Sequence, residues 1–310
     1  MARTPPFGES ADMTDTGWTP IGAPGAFYEC PRWHEGVWWV SDFYADRIVT
    51  VAGDGRTSTV LGLDGDHPGG LGWLPGGALL FVAMRARKVM RREPDGSLVV
   101  HADLAPYGEG PANDMLVLPD GTAFVGCFGF DLNAGEHPRT AALLRVLPDG
   151  TVRVAAEELV FPNAAVLTDH GRTLVVGETF AARHTAFTLT PDGLLTERRI
   201  WAQVAPSPAL APTGRMIAEL RYAPDGCAVD GSGDLWVADA LHGRVVRVRE
   251  GEGIVEQLDL PDGLGAFACG LGGDDGRTLL VCAAPDFDPR ARAAARDSVL
   301  LTTRVRVPAA

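Results

Sequence analysis

Six apolar triplets recur along this chain and constrain what it can fold into. Trp38-Trp39-Val40, Leu80-Phe81-Val82, Ala123-Phe124-Val125, Leu174-Val175-Val176, Leu235-Trp236-Val237 and Leu279-Leu280-Val281 have final valines 42, 43, 51, 61 and 44 residues apart. Each triplet follows a shorter apolar run and precedes one rich in Arg and Val, such as 47–51 or 244–248. Three groups then carry a Pro-Asp-Gly hairpin signal, at 94–96, 148–150 and 191–193. Four short strands per roughly 42 residues is the pattern of a propeller blade. Six groups therefore predict an all-β fold, a six-bladed β-propeller with four-stranded antiparallel blades around a central channel. A sandwich would not generate a period this long.

Composition agrees where it bears on the fold. The 38 Gly and 23 Pro among 310 residues favour turns and strands over helices. The exception is 289–296, where a leading Pro and an Ala-rich interior predict a short surface helix. Residues 1–17 are polar and without periodicity, which predicts a disordered tail. Residues 18–310 form the propeller domain. The last group supplies only three strands, so the segment 18–24 is expected to add the fourth and close the ring, removing an open edge.

A net charge of −13 argues against a nucleic-acid surface and suits cation binding. No apolar run approaches the ~20 residues of a membrane span. The first residues lack a signal-peptide core, and five Cys without CxxC spacing do not suggest a disulfide framework. These features predict a cytoplasmic protein with a small-molecule substrate and no membrane partner; they leave the oligomeric state open.

In a propeller the first strand of each blade lines the channel, and the residue that begins it points to one mouth. Counting back 11 to 13 residues from each final valine finds Glu29, Asn113, Asn163 and Asp225 in blades one, three, four and five. Blades two and six place Gly69/Gly70 and Ala268/Cys269 there. Two carboxylates and two amide oxygens make a hard-oxygen site for one divalent metal ion, Ca²⁺ first, with Mg²⁺, Mn²⁺ or Zn²⁺ as alternatives. The opposing reading is that Asn, Asp and Gly recur for turn geometry alone, with Pro224-Asp225-Gly226 one more hairpin like 94–96.

With Glu29-x-Pro-Arg-Trp, Asn113-Asp114-Met115, Phe161-Pro162-Asn163, Gly177-Glu178-Thr179-Phe180 and Pro224-Asp225-Gly226 in this order, the chain resembles the senescence marker protein/gluconolactonase/luciferin-regenerating enzyme family over about 25–307. The resemblance implies a six-bladed propeller, a channel metal held by Glu29, Asn163 and Asp225, Asn113 on the metal or substrate side, and lactonase-type activity. The chain departs from the family pattern at Cys30 and Ala164, where Gly is usual, at Pro111, where sugar-lactone hydrolases carry Arg, and at Cys127, where Asn is frequent. These changes argue against gluconolactone itself.

The leading expectation is a metal-dependent hydrolase of a cyclic ester, with Asp225 as general base or water-orienting group. Its rivals are a cyclase, isomerase or lyase on the same scaffold, and a binding module with a structural metal. On the substrate side stand Asn113, Cys127, His184, Arg215 and Arg221, the arginines on a connection over 202–222 read as a lid. His67 and His242 are further loop histidines within reach of the mouth. Cys30, Cys227 and Cys269 read as small buried hydrophobes, and Glu178-Thr179 as a buried hydrogen-bonded pair.

Overall fold

The computed structural model describes residues 17–310, so the expected N-terminal tail lies, except for its last residue, outside the described residues. The described chain forms six four-stranded antiparallel sheets. Five are contiguous in sequence. The sixth joins Gly265–Gly272, Thr278–Ala284 and Ser298–Arg304 to the N-terminal strand Thr19–Gly25. Thr19 pairs with Thr302 and Ile21 with Leu300, and the Trp18 indole donates to the Asp259 carbonyl at 2.8 Å. The chain's beginning thus completes its last blade, as the missing strand predicts.

The innermost strands, Tyr28–His34, Pro68–Trp73, Ala112–Val117, Pro162–Thr168, Pro224–Val229 and Gly265–Gly272, each touch the innermost strands of both neighbouring blades and close the ring. Burial peaks in the second strands and falls toward the rim. Leu79–Ala83 and Leu235–Asp239, second strands covered on both faces, are buried throughout. The outermost strand Gly253–Asp259 is mostly exposed. Glycines permit the close approach of blades: a Cβ on Gly70 would stand 2.0 Å from the Met115 amide nitrogen, and one on Gly226 2.5 Å from the Ala268 Cβ. Gly69 and Gly70 are therefore packing residues.

The hairpins form as their sequences predict. Gly96, Gly150 and Gly193 take positive φ, at +88°, +86° and +75°, and the Asp95 carboxylate accepts the Ser97 amide at 2.9 Å. Pro224-Asp225-Gly226 is different. It begins an innermost strand, and its glycine is absent from the positive-φ set. The predicted surface helix is present at Pro289–Ala295, capped by Asp288, whose side chain accepts the Ala291 amide at 2.7 Å. Among the described residues no helix is long and apolar enough to cross a membrane.

Candidate active site on the channel axis

Glu29, Asn113, Asn163 and Asp225 converge on one cavity of about 200 Å³ at the channel mouth. The sheet register explains the convergence. In the first strand of blades three, four and five the pairing slips between Ala112 and Met115, Pro162 and Ala165, and Pro224 and Cys227. The irregularity turns Asn113, Asn163 and Asp225 off the ladder and toward the axis. In blade six the slip falls between Ala266 and Ala268, so Phe267 lines the cavity, and Ala268 and Cys269 pack into the core. In blade two the cavity is lined by His67, Met84 and Arg85.

A repeated clamp fixes three of these strands. In blades one, four and five an acid ends the second strand, and an Arg five residues later begins the third. The pairs are Asp42–Arg47, Glu178–Arg183 and Asp239–Arg244. All three acids are fully buried. Each also accepts a backbone amide just before the first strand of its own blade: Ala26 and Phe27 at 2.8 and 2.9 Å, Val160 at 2.8 Å and Ala223 at 3.2 Å. These are the blades that present Glu29, Asn163 and Asp225. Glu178 is thus a structural anchor, further tied by the Thr185 hydroxyl, and His242 joins the Asp239 clamp through Nδ1 at 2.9 Å.

Asn163 Nδ2 donates to Asp225 Oδ1 at 2.5 Å and to Thr179 Oγ1 at 3.2 Å, which leaves Asn163 Oδ1 without a donor among the described residues. The Asn113 amide likewise has no partner among them. Glu29 is buried, and its carboxylate accepts only the Cys30 amide, at 3.3 Å. Burial pushes the Glu29 carboxyl well above the usual range, and the nearby Asp225 and Asp114 push it further. Asp225 keeps some accessible surface, but that surface is cavity wall. Desolvation raises its carboxyl to about 8, against the lowering effect of the Asn163 hydrogen bond. The nearby cation, Arg32, is engaged: its guanidinium donates to Asp114 Oδ1 at 2.6 Å and to the Met115 carbonyl at 3.0 Å. The site therefore gathers two buried carboxylates that accept no arginine hydrogen bond among the described residues, the Asn163 Oδ1 and the Asn113 amide, a donor set that fits a hard divalent cation. Counted without the asparagines, no group of three His, Cys, Asp or Glu suited to a metal occurs among the described residues.

Four substrate-side expectations are corrected. His184 is fully buried in a third strand, its Nε2 2.8 Å from the Tyr222 hydroxyl, and faces the core. Cys127 is buried beside a separate surface cleft with Gly129 and Arg139, and burial pushes its thiol up to about 12. The connection before blade five begins after Gln203, because Leu195–Gln203 is strand. It carries a short helix, Thr213–Glu219, that turns Ile217 over the cavity, with Leu220 following it. Arg215 pairs with Glu219 at 2.7 Å on the outer face, and the Arg221 guanidinium donates to the Ala218 and Leu220 carbonyls. Neither arginine reaches the cavity. All five cysteines are free and buried.

His67 is the histidine that does line the cavity. Its Nδ1 lies 2.8 Å from Asp46 Oδ1, and its Nε2 is buried without a partner. Its position just before a channel strand is the signal for it in the sequence. The clamps had a signal too, an acid and an Arg five residues apart at three strand junctions.

This geometry defines a class: a six-bladed propeller with an oxygen-rich cavity at one mouth of its channel. The chain belongs to the SMP-30/gluconolactonase/LRE-like family, whose sequence profile matches residues 27–285. Among solved structures it is similar to regucalcin from Agrobacterium tumefaciens, a calcium-binding protein, at 19% identity and a TM-score of 0.75, covering 93% of each chain. It is also similar to a gluconolactonase from Xanthomonas campestris, at 20% identity and a TM-score of 0.70, covering 94% of this chain and 89% of that one. A virginiamycin B lyase from Nocardia farcinica is 33% identical over 118 residues, which span 38% of this chain and 36% of that relative.

Proposed function

We propose that the protein opens a cyclic ester by adding water, a lactonase-type hydrolysis at the axial site. The observation that carries this reading is the placement of two buried carboxylates, Glu29 and Asp225, with the Asn113 amide and the Asn163 Oδ1 on one small cavity. Membership in a gluconolactonase-like family supports the reaction class. Glu29, Asn163 and Asp225 would hold a divalent cation; the calcium-binding neighbour favours Ca²⁺. When bound, such an ion supplies an electrophile for the ester carbonyl and makes water more acidic. Asp225 accepts the proton of the attacking water and returns it to the departing ring oxygen, giving a hydroxy acid. Asn113 donates to the substrate and orients it. The test is a panel of lactones followed by acid release. One acid per lactone is expected, with loss on chelation, recovery with Ca²⁺ and a roughly 100-fold or greater fall in Asp225→Asn. Acid release unaffected by chelation or by this substitution contradicts the assignment.

His67 favours one second reading, a lyase. Held by Asp46 through Nδ1, its Nε2 has the orientation of a base. It would take a proton from the carbon next to the one bearing the ester oxygen, and the ring would open to an alkene and a carboxylic acid. The partial likeness to a virginiamycin B lyase points the same way. Product mass separates the two: hydrolysis adds one water, elimination adds none.

A further inference from the structure

We infer that the ligand of this cavity is a compact molecule with an aromatic or fused-ring body and a polar head. The inference rests on the proposed ring-opening chemistry for the identity of the head and on the cavity wall for the body.

The four oxygen-slot residues share the cavity with two groups of aromatic rings. In one, the Phe27 ring lies 4.8 Å from Phe267 and 5.0 Å from Tyr44, and Phe267 lies 6.5 Å from Phe287. In the other, Phe128 lies 4.2 Å from Phe161, which stacks on Phe180 at 5.2 Å. All of these rings line the cavity. Ile217 and Leu220 of the connection before blade five add aliphatic cover.

Apart from the closer Phe128–Phe161 pair, rings at these separations are in the range of favourable edge and offset contacts, and a flat aromatic guest extends them. Size agrees with this. An apolar cavity of about 150 Å³ holds benzene, and this one is about 200 Å³. A sugar lactone would bring several hydroxyls against the rings, and each hydroxyl buried there without a partner lowers affinity. Polar side chains also reach this cavity, among them His67, Arg85, Asp131 and Asn133, but apolar side chains, the aromatic rings foremost, make up the larger share of its wall and favour a flat apolar body.

The experiment has a turnover arm and a binding arm. Turnover compares 3,4-dihydrocoumarin, δ-valerolactone and D-glucono-δ-lactone with the metal-supplemented protein. The expected result is a kcat/KM for dihydrocoumarin at least about 10-fold above either of the others. Binding uses the corresponding lactam, 3,4-dihydroquinolin-2-one, measured by calorimetry on the wild type, Phe128→Ala and Phe287→Ala. Phe287 is 39% exposed and its substitution spares the core; Phe128 is half-buried and packs against core residues, so the thermal midpoint of Phe128→Ala is checked alongside its binding. The lactam is expected to bind the wild type, with affinity falling roughly 3- to 10-fold in each variant. Lactam binding lost in the variants, without turnover of any lactone, supports the ligand class and removes the hydrolytic reading. Faster turnover of gluconolactone, or lactam affinity that is absent or equal in wild type and variants, overturns the ligand class and leaves hydrolysis standing.

Discussion

Cys30 follows Glu29 at φ +51°, in the left-handed region where a Cβ costs about 1–2 kcal/mol. Its neighbours hold it there: Cys30 is buried, and its amide is the one that Glu29 accepts. The site thus contains local strain next to a proposed ligand. The four oxygen slots were legible in the sequence because their spacing to the following valine is nearly constant. Phe267 was not, because it stands one residue beyond that spacing. His184 was misplaced for a related reason: its position between strand signals did not reveal that it lies within a third strand. Burial there lowers its pKa to about 3. The sign follows directly. The folded state favours neutral imidazole, so its contribution to stability is complete above the unfolded pKa of about 6.5 and is lost as pH falls from there toward 3, by about 1.4 kcal/mol per unit. His184→Asn cannot titrate. Its thermal midpoint is expected below that of the wild type at pH 7.5, with a gap that narrows as pH falls to 5. A gap that widens would contradict the neutral buried assignment.

Clamps and connections act at the scale of elements. The carboxylate of Asp239 is fully buried, receives Arg244 through two nitrogens at 2.9 Å and holds the Ala223 amide that leads into Asp225. Removing one partner of such a pair leaves the other poorly compensated. Asp239→Ala is expected to lose about 2–4 kcal/mol in denaturant unfolding and to weaken cation binding at Asp225 more than Asp42→Ala does, since Asp42 braces Glu29 instead. Cation affinity unchanged in both variants would show that the clamps act only on stability. The connection before blade five was legible as an insertion but not in its orientation. Its arginines drew attention by charge, yet the helix turns Ile217 inward and buries Met216 in the core. An apolar stripe on a seven-residue helix is too short a pattern to read from sequence.

The ring is the unit at the scale of the whole molecule, and it was the most legible feature, because a repeat states itself six times. Closure by the N-terminal strand followed from counting strands. A chain beginning at residue 17 retains Thr19–Gly25, whereas one beginning at residue 26 exposes the Ser298–Arg304 edge. The shorter chain is expected to melt lower and to self-associate; equal midpoints would contradict the closure. Which ion, if any, the axis holds is not written in the repeat, since the slots vary from blade to blade. The central claim is that the unlike residues of four blades make one cation site. Calorimetric titration of Ca²⁺ into chelator-treated protein tests it most directly. One site per chain is predicted, with affinity reduced on the order of 100-fold or more in both Glu29→Gln and Asp225→Asn. No uptake by the wild type, or uptake unchanged in both variants, would contradict it.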